Sequence, residues 1–312
     1  MDIIECINDF LWGFPLLILL MGTHVYFTLK LHFPQRSLWR AIRLSLGRAE
    51  EGGHNLSPFS ALSTTLAATL GTGNIIGVST AVALGGPGAI FWCWITGILG
   101  MATAYSECYL SVLYRDCRPN GTYVGGPMYV LKNGLHKYMS GSLYALCTLI
   151  AAFAVGCTTQ ANSVSQAAAG TFHLSPHFVG ITLALLTGAV ILGGVRSIGT
   201  LCERTVPAIS FFYLFGCLLL LILYRRQLPT AIIWILKDAF SFTGLTGGAA
   251  GATLQHAVRY GIARGLFTNE AGIGTSAIAA AASHTKDPHI QAYVSMTAVF
   301  WDTVVMCFLS GL

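Results

Sequence analysis

Leu70-Gly71-Thr72-Gly73-Asn74-Ile75-Ile76-Gly77 sits in the middle of an otherwise apolar run from Pro58 to Leu84. A helix that only anchors a chain in a bilayer has no use for a glycine cluster and a side-chain amide at its midpoint. Glycine weakens the helix, and an unpaired amide in hydrocarbon is costly. About a dozen residues precede the cluster and about ten follow, so each half is roughly 15 to 20 Å long. The spacing predicts a break near mid-membrane. The stretch Gly265-Leu-Phe-Thr-Asn-Glu-Ala-Gly-Ile-Gly274 interrupts a second apolar segment in the same way, with Asn269 and Glu270 at the same depth. Unwound backbone there survives only where it lines a protein cavity, and its freed carbonyls and amides suit ions and small zwitterions. Two such breaks in corresponding segments point to a secondary carrier. The plainer alternative is glycine used for tight helix packing, which does not require the Asn and the Glu. A dinucleotide fingerprint fails at Gly71–Gly77 on spacing and for want of a preceding strand.

Composition sets the solvent. Of 312 residues, 54% are hydrophobic and only 9% charged, with a mean hydropathy of +0.66; a soluble domain carries about 25% charged residues. Length alone would allow about two globular domains. Instead the apolar residues gather into eight predicted spans: Leu11–Leu29, Pro58–Leu84, Ala89–Leu113, Ser142–Gly170, Phe178–Leu192, Thr205–Tyr224, Thr246–Ala282 and Ile290–Leu312. The first follows an acidic stretch (Asp2, Glu5, Asp9) with no Lys or Arg before it, unlike a secretory leader, and is read as a retained span. The net charge of +5 is dispersed in short stretches between spans, which speaks against nucleic acid as a partner. The nine cysteines form no CxxC pair and mostly lie in apolar runs, and the nine histidines show no ligand spacing, so neither a disulfide framework nor a zinc site is expected.

The basic residues orient the chain. With the N-terminus outside, the inner loops hold Lys30, Arg36, Arg40, Arg43, Arg48, Arg115, Arg118, Lys132, Lys137, Arg196, Arg204 and Lys286, twelve in all, against Arg225, Arg226 and Lys237 outside. Between the first two spans, Leu38, Trp39, Ile42 and Leu46 fall near helical spacing among three arginines, which reads as an interfacial amphipathic helix or a solvated basic loop.

Other polar residues lie at depth. In the fourth span Gln160 and Asn162 are open to ligand contact or to interhelical hydrogen bonding, and Gln166 reads as structural. The intramembrane ionisable residues are Glu107, Glu270, Asp302, Arg259 and Arg264. Each is a functional candidate by default. Glu107 and Asp302 also fit a role as packing partners of polar faces; the two arginines either pair with Glu270 or snorkel outward, and snorkelling is the preferred reading.

The motifs Ser57-Pro58-Phe59, Gly71-Thr-Gly-Asn74, Ala83-Leu-Gly-Gly-Pro-Gly-Ala-Ile-Phe-Trp92, Gly125-Gly-Pro-Met-Tyr129, Gln160-Ala-Asn162 and Arg264-Gly-Leu-Phe-Thr-Asn-Glu-Ala-Gly-Ile-Gly274 resemble the alanine or glycine:cation symporter family over nearly the whole chain. The resemblance implies an all-α polytopic membrane protein of the LeuT-type inverted-repeat fold. One extra N-terminal span (residues 11–29) would precede a first five-helix repeat (58–224) and a partial second repeat (246–312). It implies a sodium-coupled, in some members proton-coupled, importer of small neutral amino acids such as alanine and glycine in the cell membrane, with no cofactor beyond the coupling Na+. By this resemblance Thr72, Gly73 and Asn74 stand at the substrate carboxylate, with Asn74 a ligand for sodium or substrate. The carbonyls of Ala67 and Leu70 would face a sodium ion. Thr268, Asn269, Glu270 and Gly272 form the second break, with Thr268 a further sodium candidate. Gln160 and Asn162 complete the candidate site.

Two departures stand out. After Gly274 the family pattern Ser-Ala-Pro-Ile-Ala-His is replaced by Thr275-Ser-Ala-Ile-Ala-Ala280. The mapping also leaves three core helices beyond Leu312, so the polypeptide reads as a truncated chain, inactive in transport by itself. The alternatives are another carrier of the same fold, proton-coupled or taking a different small zwitterion, and a transport-inactive membrane protein. An enzyme is not expected, because no nucleophile and base or metal set stands at depth.

Overall fold

The computed structural model describes residues 10–46, 57–240, 251–283 and 287–312, together with Ile7 and Thr285. Asp2, Glu5, Cys6, Asp9, Arg48, His54, His284, Lys286 and the first residues of the seventh expected span, 246–250, lie outside the described residues.

The chain is mostly helical. Helix α1 (Phe14–Lys30) turns by 64° into the basic helix α2 (Leu38–Ser45). The helical alternative for this segment is the one observed: Ala41 and Ser45 are buried, while Arg43 lies over the exposed Trp39 ring at 5.5 Å. Helix α3 (Pro58–Thr69) starts where Ser57 Oγ accepts the Ser60 N–H at 2.9 Å and Pro58 occupies the first turn. It is followed, at 52°, by α4 (Gly73–Gly85). Helix α5 (Gly88–Leu113) is the centre of the molecule, with 67% of its apolar window buried. Then come α6 (Tyr138–Phe172), α7 (Pro176–Ile191), α8 (Gly194–Leu223), α9 (Leu228–Ala239), α10 (Gly251–Asn269), α11 (Thr275–Ala281) and α12 (Pro288–Gly311).

Helices α1, α9, α10, α11 and α12 pack on α5. Small residues let α10 approach closely. A Cβ on Gly261 would overlap the Ala89 carbonyl, and one on Gly265 would stand 2.9 Å from Thr96. This Gly-x-x-x-Gly stripe is a packing device of bilayer helices. The other main core joins α2, α5 and α12 through Ala41, Met101, Tyr105, Ala292 and Met296.

Helices α6 and α8 are different: each buries only 6% of its apolar window. Phe211, Phe212, Phe215, Ile222 and Leu223 of α8 are all more than half exposed. Leaving one such side chain in water forfeits about 1.5–3 kcal/mol. Those faces need an apolar surrounding. Among the described residues, four helices are long and apolar enough to cross a bilayer, or up to six if each bent pair counts as one span. The chain is thus a helical, multi-pass membrane protein.

Several sequence expectations are corrected. Within the expected helical architecture, Asp116–Cys117 and Tyr123–Val124 of the loop after α5 pair as a short antiparallel hairpin. Helix α8 begins at Gly194, not near Thr205, so Arg196 and Arg204 stand on a helix and not in a loop. Helix α9 was not foreseen. It is too short to span, and it caps α5 instead: Asp238 accepts the Gly88 N–H at 2.7 Å and the Ala239 carbonyl accepts Trp92 Nε1–H at 3.1 Å.

Candidate functional site

The first break spans three consecutive non-helical residues, Leu70, Gly71 and Thr72. Leu70 takes an extended backbone (φ −76°, ψ 91°) after closing its N–H on Leu66 O. The Gly71 N–H, which in a continuing helix would return to Ala67 O, points instead toward Asn74 Oδ1 at 3.4 Å. This turn presents Thr72 and Asn74 to three other helices. From α6, Gln160 Oε1 accepts the Thr72 hydroxyl at 2.6 Å and its N–H at 3.4 Å. From α12, Asp302 accepts Asn74 Nδ2–H on its carboxylate at 2.8 Å. From α8, the Tyr213 hydroxyl lies between the Asn74 carbonyl, 3.5 Å away, and the Ser310 hydroxyl, which it meets at very short range.

Asp302 is fully buried, and its second oxygen accepts the Thr303 hydroxyl at 2.8 Å. A carboxylate held at this depth is a place for a cation. Beside the break lies a cavity of about 190 Å³, lined by Leu70, Gly71, Thr72, Asn74, Tyr213 and Met306 among others. Drug-sized ligand pockets run from about 300 Å³ upward. A space of this size suits a much smaller molecule.

The second break runs from Glu270 to Gly274, with Glu270 (φ 56°), Gly272 (φ 96°) and Gly274 (φ 83°) in the left-handed region. A β-carbon costs most at such positions, which explains the glycines; Glu270 bears that cost. Its carboxylate is held by the Thr275 hydroxyl at the start of α11. The Gly272 N–H donates to Glu107 on α5 at 3.0 Å, and Tyr144 on α6 donates to the Ile273 carbonyl at 2.7 Å. Asn269 Oδ1 accepts the Ala271 N–H at 3.0 Å, while its Nδ2 is buried with no hydrogen-bond partner among the described residues. Thr268 is buried, its hydroxyl donated to Arg264 O at 2.9 Å.

The candidates therefore divide into groups. Thr72, Gly73, Asn74 and Gln160 converge at the first break, with Leu70 on the cavity wall. Asn269, Glu270 and Gly272 organise the second break. Ala67, on α3, is exposed. Asn162 does not join either group: it is exposed on α6 and accepts a 3.4 Å bond from Gln166. One helical turn separates successive inward positions, so two residues two apart cannot both face the break.

Two readings change. Arg264 does not snorkel. It is 8% exposed and lies across α4, where a Cβ on Gly73 would stand 2.5 Å from its Nη2. Asp302 and Glu107 are more than packing partners, each bonding a residue of a break. The sequence signal for Asp302 was its ionisable character at depth, while its partner stood 228 positions away.

Comparison with known proteins adds an independent line. A family model described as "Sodium:alanine symporter family" matches residues 1–312. A Haemophilus influenzae protein named an uncharacterized transporter is 44% identical over 313 residues, covering 100% of this chain and 69% of that protein. The sodium/alanine symporter AgcS of Methanococcus maripaludis is 42% identical over 318 residues, with coverage of 100% and 69%. The probable sodium/glutamine symporter GlnT of Bacillus subtilis is 38% identical over 307 residues, with coverage of 98% and 63%.

Proposed function

This chain belongs to the sodium:alanine symporter family, and is hence a membrane transport protein and not an enzyme; on that premise we propose that it couples sodium entry to uptake of small neutral amino acids, alanine and glycine. Transport proceeds by alternating access around the two broken helix pairs, α3–α4 and α10–α11. The observation that carries this reading is the meeting of Gln160, Asp302 and Tyr213 on the unwound turn Leu70–Asn74. Turned-out backbone beside a buried carboxylate offers a cation carbonyl and carboxylate oxygens, and the N-terminus of α4 offers an amino-acid carboxylate the positive end of a helix dipole. We place the substrate against Thr72, Gly73, Asn74 and Gln160, with Thr268, Asn269, Glu270 and Gly272 opposite. Sodium sits between the carbonyls of Ala67 and Leu70, Asn74 and Thr268, and Asp302 supplies the negative charge. The two breaks in equivalent positions support the LeuT-type inverted repeat, with residues 58–224 as first repeat and 246–312 as part of the second. The distribution of Lys and Arg supports an external N-terminus.

The test is equilibrium binding of radiolabelled alanine to the chain in lipid nanodiscs, with sodium or choline, for wild type, Asn74→Ala and Asp302→Asn. Sodium-dependent binding lost in both variants is expected. Binding equal in choline, or unchanged in Asp302→Asn, would overturn the coupling scheme, and repeating the choline arm from pH 5 to 8 separates proton from sodium coupling. The GlnT match gives a second reading, a larger amide cargo; the 190 Å³ cavity favours the smaller one. Glutamine displacing alanine as well as glycine does would reverse that preference.

A further inference from the structure

A buried cation whose charge no acid matches marks a place where an anion belongs, and Arg264 is such a cation: its guanidinium lies over the Phe267 ring at 5.5 Å, a contact that leaves the charge unneutralised. Its residue is 8% exposed, and its Nε and Nη2 are buried with no hydrogen-bond partner among the described residues. The guanidinium lies against the outer half of the first broken pair. A Cβ on Gly73 would stand 2.5 Å from Nη2, and one on Gly77 would stand 2.8 Å from Nε and overlap Nη1. Glycines one turn apart on α4 thus form a cradle that only missing side chains leave open. The acid in its neighbourhood, Asp302, is already committed, with one oxygen to Asn74 and the other to Thr303, and Arg264 makes no ion pair within 4.0 Å among the described residues. Desolvating a guanidinium costs several kcal/mol unless the charge is matched. Nη2 also stands beside Gly73, where α4 begins and the positive end of its helix dipole attracts negative charge.

We propose that Arg264, with the N-terminus of α4, forms a site for one compact monoanion. Two sources share that chemistry, the carboxylate of the transported amino acid and a halide ion. The carboxylate source rests on the carrier reading above and the halide source does not. In the first case Arg264 is a specificity residue, making the carrier refuse amino compounds without a carboxylate. In the second the ion is a co-ligand that keeps Arg264 in its cradle.

The experiment compares wild type, Arg264→Gln, Arg264→Lys and Gly77→Ala as monodisperse protein in nanodiscs. Gly77→Ala retains the charge but pushes the guanidinium from its seat. Probes are radiolabelled alanine, alaninamide as competitor, and sodium chloride against sodium gluconate, with thermal unfolding read in both salts. For the carboxylate, wild type prefers alanine over alaninamide, Arg264→Gln and Gly77→Ala weaken alanine about tenfold to a hundredfold, the worth of a charge-assisted hydrogen bond, and the preference over alaninamide closes. Arg264→Lys restores part of it. For a halide, chloride raises the wild-type unfolding temperature and alanine affinity relative to gluconate, and Arg264→Gln is indifferent to the exchange. If wild type binds no alanine, the chloride-dependent unfolding shift decides the site alone. If Arg264→Gln retains alanine affinity and the preference over alaninamide, and chloride changes nothing in wild type, the site does not exist.

Discussion

Arg115 pins the C-terminal end of the second broken pair, and removing it is expected to loosen α11 selectively. Helix α11 has only seven residues, too few to hold together by its own hydrogen bonds. Arg115 follows the end of α5, and its Nη1 donates to the carbonyls of Ala281 at 3.0 Å and Ser283 at 2.8 Å. Nη2 donates to the Thr285 carbonyl at 2.8 Å, and the guanidinium stacks 3.7 Å above the Tyr123 ring centroid. A hydrogen bond from a charged donor nets about 1.5–3 kcal/mol, discounted to about 1 here because Arg115 is only half-buried and the freed carbonyls regain water. Three such bonds and a cation–π contact of about 0.5–1 kcal/mol sum to roughly 3–4 kcal/mol. The Arg115→Ala variant should therefore raise amide exchange across residues 275–285 by roughly 100- to 700-fold, at 1.4 kcal/mol per decade. Protection in α5 should stay within a few fold. Arg115→Lys should fall between, because one ammonium cannot reach three carbonyls at once. Hydrogen exchange with mass-spectrometric readout measures this directly. Exchange in Arg115→Ala within threefold of wild type over residues 275–285 would refute the latch.

Three further outcomes follow from single contacts. Thr72→Val removes the hydroxyl that Gln160 accepts at 2.6 Å; alanine affinity should drop about three- to tenfold, the worth of a neutral hydrogen bond, with the melting temperature unchanged, and Thr72→Ser should restore it. Asp238→Ala removes the carboxylate that caps α5 at the Gly88 N–H and should cost about 1 kcal/mol in chemical unfolding, most of it regained by Asp238→Asn. Tyr144→Phe frees the Ile273 carbonyl and should speed exchange at the second break about fivefold while leaving α11 beyond Ala277 protected.

What the sequence disclosed and what it hid divide along one physical line. Glycines and amides inside apolar runs betray a broken helix, because local backbone chemistry alone forbids an ordinary span there; both breaks were legible for that reason. Which side of a helix faces protein and which faces lipid is not local. Helix α6 is as apolar as α12, yet one buries 6% of its apolar window and the other 61%, because neighbours and not composition decide. The same blindness displaced Asn162 and hid the partnership of Asn74 with Asp302. It also sent Arg264 the wrong way. An arginine five residues before the end of α10 has a long stem, and snorkelling is the usual escape for such a residue. The alternative required a surface with its side chains removed at two positions one turn apart, and Gly73 and Gly77 provide it on a helix nearly two hundred residues earlier. These two glycines do two jobs. Gly73 lies at the break and admits unwound backbone, and together they seat a guanidinium that would otherwise leave the membrane. That is why a methyl group at Gly77, where φ is an ordinary −71°, should disturb ligand binding through Arg264 and not through the backbone.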